Sequence, residues 1–236
     1  MEVNRINILC TRPLSASLIN EVRDQGIDID ESEFIRTEPI QSIEVQQEIE
    51  QAFLLNVPVV FTSMNAVEAV AYYQEENQPE WDIYSIGHTT NKLVSKYFGE
   101  ERIAGTADDA ESLAELIVEE GTADEVIFFC GDQRRDELPK ILRNHDIEVN
   151  EITVYQTISL PHKIDKIYHG ILFFSPSAVE SFFKKNKLPE TTILFAIGNT
   201  TANEIRKHTK NKIITGDEPG KENLVRKMLD YFAPTF

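Results

Sequence analysis

Residues 170–181 have the sequence Gly-Ile-Leu-Phe-Phe-Ser-Pro-Ser-Ala-Val-Glu-Ser, which predicts a strand, a turn and a helix in immediate succession. The apolar residues up to Phe174 are typical of a short buried strand. Ser175-Pro176-Ser177 ends that strand, because hydroxyl residues and proline favour the amino end of a helix. In open α/β sheets, ligands bind where the carboxyl end of a strand meets such a helix.

The same pattern occurs earlier in the chain. Residues 59–68 read Val-Val-Phe-Thr-Ser-Met-Asn-Ala-Val-Glu, and Ser63 aligns with Ser175 at an offset of 112 residues. Further matches follow in order, with Cys130 aligned to Cys10 at an offset of 120 residues. An ordered set of this kind predicts an internal duplication of one doubly wound α/β unit.

Alternating strands and helices with short turns predict parallel sheets that are covered by helices on both faces. Consecutive copies would place the domain border near Thr122. The repeat also allows two domains that exchange their opening segments.

The composition limits the possible functions. A net charge of −17 disfavours non-specific binding to nucleic acid or to anionic membranes. The apolar runs have the length of strands and cannot span a membrane. The polar start of the chain lacks an apolar signal core, and Cys10 and Cys130 lie on short apolar runs. We therefore predict a cytoplasmic protein with buried free thiols.

Motifs for nucleophilic, nucleotide or metal chemistry are missing from the sequence. There is no Gly-x-Gly-x-x-Gly after a strand, no Gly-x-Ser-x-Gly elbow, and no metal-ligand spacing of histidines and cysteines. Asp108 and Glu111 predict a helix capping pair better than a cation site. The sequence therefore gives no support to a nucleophilic or metal mechanism.

Hydroxyl side chains recur where strands pass into helices. Each alone is explained by helix capping. Together they place several helix amino ends at one edge of each sheet, which predicts a ligand with several carboxylates or phosphates, bound by local dipoles despite the acidic chain. The residues are Thr11, Thr62, Ser63, Thr89, Thr90, Ser175, Ser177, Thr200 and Thr201.

These motifs occur in the order found in a known family. The chain resembles uroporphyrinogen-III synthases from about Ile6 to Leu229, through the segments Thr11-Arg12-Pro13, Phe61-Thr62-Ser63-x-x-Ala66-Val67, Ile86-Gly87-x-x-Thr90, Val154-Tyr155-x-Thr157, Phe174-Ser175-Pro176-Ser177-Ala178-Val179 and Ile197-Gly198-x-Thr200-Thr201-Ala202. The chain departs from the family pattern at four positions. The family often has proline where Met64 and Asn199 stand, arginine at Cys130, and glycine at Arg134.

The resemblance implies a cytoplasmic, monomeric lyase of tetrapyrrole (haem and porphyrin) biosynthesis. Its substrate would be hydroxymethylbilane, a linear tetrapyrrole that loses water, inverts its ring D and closes to uroporphyrinogen III. The family uses no metal or cofactor, and no nucleic-acid or membrane partner is implied. The resemblance further implies interleaved domains, one from residues 1–36 with 158–236 and one from residues 37–157, joined by two extended linkers.

The resemblance also assigns roles to residues. Tyr155 would be catalytic, as a hydrogen-bond donor or general acid to the departing hydroxyl, although a half-buried strand tyrosine is the alternative. A second hypothesis for the whole chain is a non-catalytic two-domain protein that binds a small polyanion. The substrate-binding residues would be Arg12, Thr62, Ser63, Thr89, Thr90, Gly131, Ser175, Ser177, Thr200 and Thr201.

Overall fold

A computed structural model describes residues 5–74, 79–121, 123–217 and 220–232, which leaves the expected border residue Thr122 outside the described residues. Within these ranges the chain forms eleven strands and nine α-helices. The strands are β1 (Ile6–Cys10), β2 (Ile27–Glu31), β3 (Ile35–Pro39), β4 (Val59–Phe61), β5 (Ile83–Ile86), β6 (Ile103–Ala107), β7 (Glu125–Gly131), β8 (Glu148–Ser159), β9 (Gly170–Phe173), β10 (Ile193–Ala196) and β11 (Ile213–Thr215). The helices are α1 (Ala16–Asp24), α2 (Ile43–Phe53), α3 (Met64–Ala71), α4 (His88–Phe98), α5 (Ala110–Glu120), α6 (Glu137–Asn144), α7 (Pro176–Phe183), α8 (Asn199–His208) and α9 (Lys221–Phe232).

The chain divides into two compact units. The first unit consists of Met1–Arg36 and Ile158–Phe236, and the second consists of Thr37–Thr157. The borders fall inside β3 and near the end of β8, so two extended strands carry the chain from one unit to the other.

The first unit is built on a five-stranded sheet in the order β11-β10-β9-β1-β2, with parallel pairing between the neighbours. Successive side chains of a strand point to opposite faces of the sheet. Accordingly, Ile8 and Cys10 lie in the cluster that includes residues of α1 and α9, whereas Leu9 lies in the cluster of α7 and α8. Both faces are therefore buried, which explains the continuous apolar runs of these strands.

The second unit is built on a six-stranded sheet in the order β3-β8-β7-β4-β5-β6, and the pairings from β8 to β6 are parallel. On β7, Ile127 and Phe129 face the cluster of α2, α3 and α4, and Phe128 faces the cluster of α5 and α6. Trp81 fills the first cluster, and its indole N–H donates to the carbonyl of Ala52 at 3.0 Å.

One capping prediction is wrong here. The N-cap of α5 is Asp109, which accepts from the Ser112 amide, because β6 extends to Ala107 and the helix begins one residue later than expected.

The two sheets share one strand order once the repeats are aligned. The aligned cysteines make β7 the counterpart of β1, and the aligned turns make β4 the counterpart of β9. The order β2-β1-β9-β10-β11 then corresponds to β8-β7-β4-β5-β6. The predicted α/β class with two similar parallel-sheet domains is confirmed, and the described residues contain no helix long and apolar enough to cross a membrane.

Candidate active site

In the first unit, hydrogen bonds hold the turns after β1, β9 and β10 side by side. Thr11 donates both its backbone N–H and its hydroxyl to the carbonyl of Leu172, at 3.1 and 2.8 Å. The N–H of Ile197 donates to the carbonyl of Phe173 at 3.0 Å. Because the strands are parallel, their carboxyl ends meet at one edge of the sheet. This edge carries the predicted binding residues Arg12, Ser175, Ser177, Thr200 and Thr201.

Ser175 is the N-cap of α7. Its hydroxyl accepts a hydrogen bond from the Ala178 N–H at 3.2 Å and lies 3.2 Å from the hydroxyl of Ser177. Pro176 occupies the first helical position, where its fixed backbone angle suits the helix. Ser175 is therefore a helix cap. The other N–H groups of the first helical turn remain, and the positive end of the helix dipole lies at the sheet edge.

The two threonines of α8 differ in exposure. The N-cap of α8 is Gly198, which has no side chain to cap the helix, so Thr200 and Thr201 lie within the first turn. Thr200 is exposed, whereas Thr201 is 2% exposed and packs inside the unit. The threonine side chain exposed at this turn is therefore that of Thr200.

A pair of cations lies near the end of β1. Arg12 is exposed, and the buried Cys10 thiol donates to its carbonyl at 2.9 Å. Lys221, the first residue of α9, donates to the carbonyl of Pro13 at 3.0 Å. Burial, followed by the nearby Arg12 charge, lowers the pKa of the Lys221 ammonium. The sequence analysis missed Lys221, which adds a second positive charge suited to a carboxylate.

The Cys10 thiol is not a candidate nucleophile. Burial raises its pKa to about 12, so the thiol is not a nucleophile at neutral pH. Both Cys10 and Cys130 are free and buried, as predicted.

In the second unit, Ser63 caps α3 as Ser175 caps α7. Its hydroxyl accepts from the Asn65 N–H at 3.2 Å, and its backbone is extended as at Ser175. Thr62 and Ser63 are half-buried at the end of β4. Both copies of the repeat therefore contain the same helix cap as well as the same strand.

The turn after β5 corresponds to the turn after β10. Gly87 is the N-cap of α4 with a φ of 77°, a backbone region that favours glycine. Thr89 and Thr90 follow inside the helix, the former exposed and the latter 6% exposed. A cavity of about 270 Å³ adjoins this helix end and is lined by Gly87, His88, Asn91, Thr106, Ala107 and Asp108.

Tyr155 lies on β8 directly opposite Gly131, at a register shift between Cys130 and Gly131. Asp132 fixes this corner, because its N–H donates to the Tyr155 carbonyl at 3.1 Å and its carboxylate accepts from the Thr157 N–H at 2.9 Å. A Cβ atom on Gly131 would lie 2.3 Å from Cζ of the tyrosine ring. Glycine at position 131 is therefore what allows the ring to occupy its place.

The ring of Tyr155 forms one wall of a cavity of about 130 Å³. The ring is half-buried and packs against the cluster around Phe61 and Phe129, which orients it. Sequence reasoning missed Asn65 and Glu68, although both belong to the repeated turn and helix. The cavity is lined by Thr37, Glu38, Pro39, Asn65, Glu68 and Tyr155.

Comparison with known proteins identifies the family. The profile of the family described as Uroporphyrinogen-III synthase HemD matches residues 16–226. The chain belongs to the uroporphyrinogen-III synthase family. The uroporphyrinogen-III synthase of Saccharomyces cerevisiae is 24% identical over 175 residues, which cover 63% of this chain. The match spans 62% of the length of the yeast protein, less than two thirds.

Solved structures of the uroporphyrinogen-III synthase family share the fold. A mutant uroporphyrinogen III synthase from the extremely thermophilic bacterium Thermus thermophilus matches with a TM-score of 0.64 at 12% identity, over 96% of this chain and 98% of its own. Uroporphyrinogen-III synthetase from Helicobacter pylori matches with a TM-score of 0.66 at 16% identity, over 96% and 99%.

The departures from the uroporphyrinogen-III synthase pattern have local explanations. Met64 and Asn199 are the first helical residues of α3 and α8, a position that tolerates proline but does not require it. Cys130 is buried in β7, and its thiol lies 3.8 Å from the Ile152 carbonyl. Arg134 forms ion pairs with Asp136 and Glu151, so it anchors the turn that follows Gly131.

The two capping serines allow a first test. Ser63→Ala and Ser175→Ala should each lower the free energy of unfolding by about 1 kcal/mol, because one helix amide loses its acceptor. Activity should fall only modestly, since the backbone N–H groups at each turn remain. Urea unfolding and turnover assays measure the two effects, and Ser63→Thr, which keeps the capping oxygen, is the control. Loss of all activity in a folded Ser→Ala variant would instead indicate a catalytic hydroxyl.

Proposed function

We propose that the protein is a uroporphyrinogen-III synthase, a lyase that converts hydroxymethylbilane into uroporphyrinogen III with inversion of ring D and loss of water. The proposal depends on the family match over residues 16–226. We further propose that the two compact units are its two domains and that it works as a cytoplasmic monomer. Its free buried cysteines suit a reducing compartment.

Binding of the substrate would depend mainly on helix amino ends. The carboxylate arms of the substrate would lie against the free N–H groups at the start of α3, α4, α7 and α8, where the helix dipole favours negative charge. Arg12 and Lys221 would add ionic contacts in the first unit. The proposed contact residues remain those predicted from sequence, with backbone groups providing the contact at the buried Thr90 and Thr201.

The chemical step needs a proton donor and a shielded, well-positioned substrate. The bond between the hydroxymethyl carbon and its oxygen breaks, and both electrons leave with the oxygen. The phenol of Tyr155 gives its proton to that oxygen, so water departs and the positive charge stays on the pyrrole-methylene group. The α-carbon of ring D that already carries the bridge to ring C bonds to this methylene carbon, and its bond to the bridge then breaks. The freed bridge carbon bonds to the other α-carbon of ring D, and the proton that this α-carbon loses restores the phenol.

The alternative, a non-catalytic receptor for a small polyanion, would use the same helix amino ends. It is not favoured, because the family profile and the related proteins are those of uroporphyrinogen-III synthases. The segment Val154-Tyr155-x-Thr157 also favours the enzyme.

An isomer assay tests the proposed function. The protein is incubated with hydroxymethylbilane, the products are oxidised, and the porphyrin isomers are separated. We expect the inverted type III isomer to predominate, whereas the reaction without protein gives the uninverted macrocycle. An isomer ratio equal to that of the protein-free reaction would reject the enzyme and favour the receptor.

A further inference from the structure

The cavity beside Tyr155 differs in charge from the helix amino ends. Its lining contains the carboxylate of Glu68 and no lysine, arginine or histidine. A negative lining repels the carboxylate arms of a polyanionic ligand. The part of the ligand that enters this cavity must therefore be neutral or cationic.

The pattern of buried and exposed residues along α3 places Glu68 at this cavity. Ala66, Val67, Ala69 and Val70 are fully buried against the core of the second unit. Asn65 and Glu68, three residues apart, share the opposite side of the helix and line the cavity together. Glu68 is exposed, and among the described residues its carboxylate has no ion pair or hydrogen bond.

We propose that Glu68 stabilises the positive charge that develops on the pyrrole-methylene group when hydroxide leaves beside Tyr155. This inference rests on the proposed function. Apart from its acid arms, the ring with its hydroxymethyl group is uncharged before the step and cationic after it, so a neighbouring carboxylate lowers the energy of the transition state more than that of the bound substrate. Glu68 forms no covalent bond and transfers no proton in this step.

The same arrangement explains how one substrate can be bound by opposite charges. Within the second unit, the acid arms would contact the amino ends of α3 and α4, while the reacting pyrrole would contact the cavity lined by Glu68. This distribution of charge would disfavour entry of an acid arm beside Tyr155. Glu68 therefore contributes to orientation of the substrate as well as to the rate.

Glu68→Gln tests the inference, because it keeps the size of the side chain and removes its charge. We expect kcat to fall about tenfold or more, below the 10²–10³-fold effect of a stabilising group in a fully enclosed site. KM should stay the same or decrease, because repulsion of the carboxylate arms is weakened. Glu68→Asp, which keeps the charge, should recover part of kcat.

Glu115→Gln is the matched control, since Glu115 is an exposed glutamate on α5 of the same unit and does not line the cavity. Circular dichroism verifies that each variant is folded. A kcat of Glu68→Gln within twofold of the active wild type would overturn the role of Glu68 and leave the proposed function intact. A raised KM with unchanged kcat would also overturn it, as would equal losses in Glu68→Gln and Glu115→Gln. Absence of type III product from the wild type would overturn both proposals.

Discussion

Tyr155→Phe should lower kcat by about 10²–10⁴-fold, which is the usual contribution of a positioned general acid. The substitution keeps the ring that packs against the core and removes only the hydroxyl. Among the described residues that hydroxyl donates no hydrogen bond to the protein, so its loss leaves no buried group without a partner. Thermal stability should therefore change little. The assay is steady-state formation of uroporphyrinogen III together with the melting temperature.

The product distribution gives a second measurement on Tyr155→Phe. A slower enzymatic step leaves more hydroxymethylbilane to close spontaneously in solution, so the share of uninverted product should rise. Tyr97→Phe is the matched control, because Tyr97 packs partly buried against the same cluster but does not line the cavity. Nearly wild-type turnover in Tyr155→Phe would remove the phenol from the mechanism and leave positioning as the source of catalysis.

Much of the fold could be predicted because the local signals agree with one another. Ser63 and Ser175 combine a strand end, a cap and an apolar helix face within a few residues, and the structure confirms both as N-caps. The duplicated strand order follows from the same repeats. Local sequence is sufficient for the two caps because each depends on contacts between near neighbours.

The candidate site was harder to predict because it depends on contacts between distant segments. Thr90 and Thr201 resemble exposed hydroxyls in sequence, yet glycine caps place them inside helices and the packing buries them. Lys221 comes near Arg12 only through the docking of α9. Glu68 comes near Tyr155 only when β3, α3 and β8 assemble.

Gly131→Ala should reduce activity about as much as Tyr155→Phe. The added Cβ would lie 2.3 Å from Cζ and 2.7 Å from the hydroxyl oxygen of Tyr155, distances that no packed structure tolerates. The backbone at Gly131 is not in the left-handed region, so alanine itself is not strained there. The half-exposed ring must therefore rotate away, which moves the phenol from the cavity while the sheet remains intact.

A double-mutant cycle distinguishes displacement of the Tyr155 phenol from a general loss of stability. If Gly131→Ala acts by displacing the phenol, adding Tyr155→Phe should cause little further loss, because the two changes remove one interaction. Gly105→Ala is the matched control, since a Cβ there would crowd Leu116 and Tyr84 at 2.6 and 2.9 Å, away from Tyr155. It should lower stability and leave kcat unchanged in the folded protein. Fully additive losses in the double variant would show instead that Gly131 serves the substrate directly, through its own backbone.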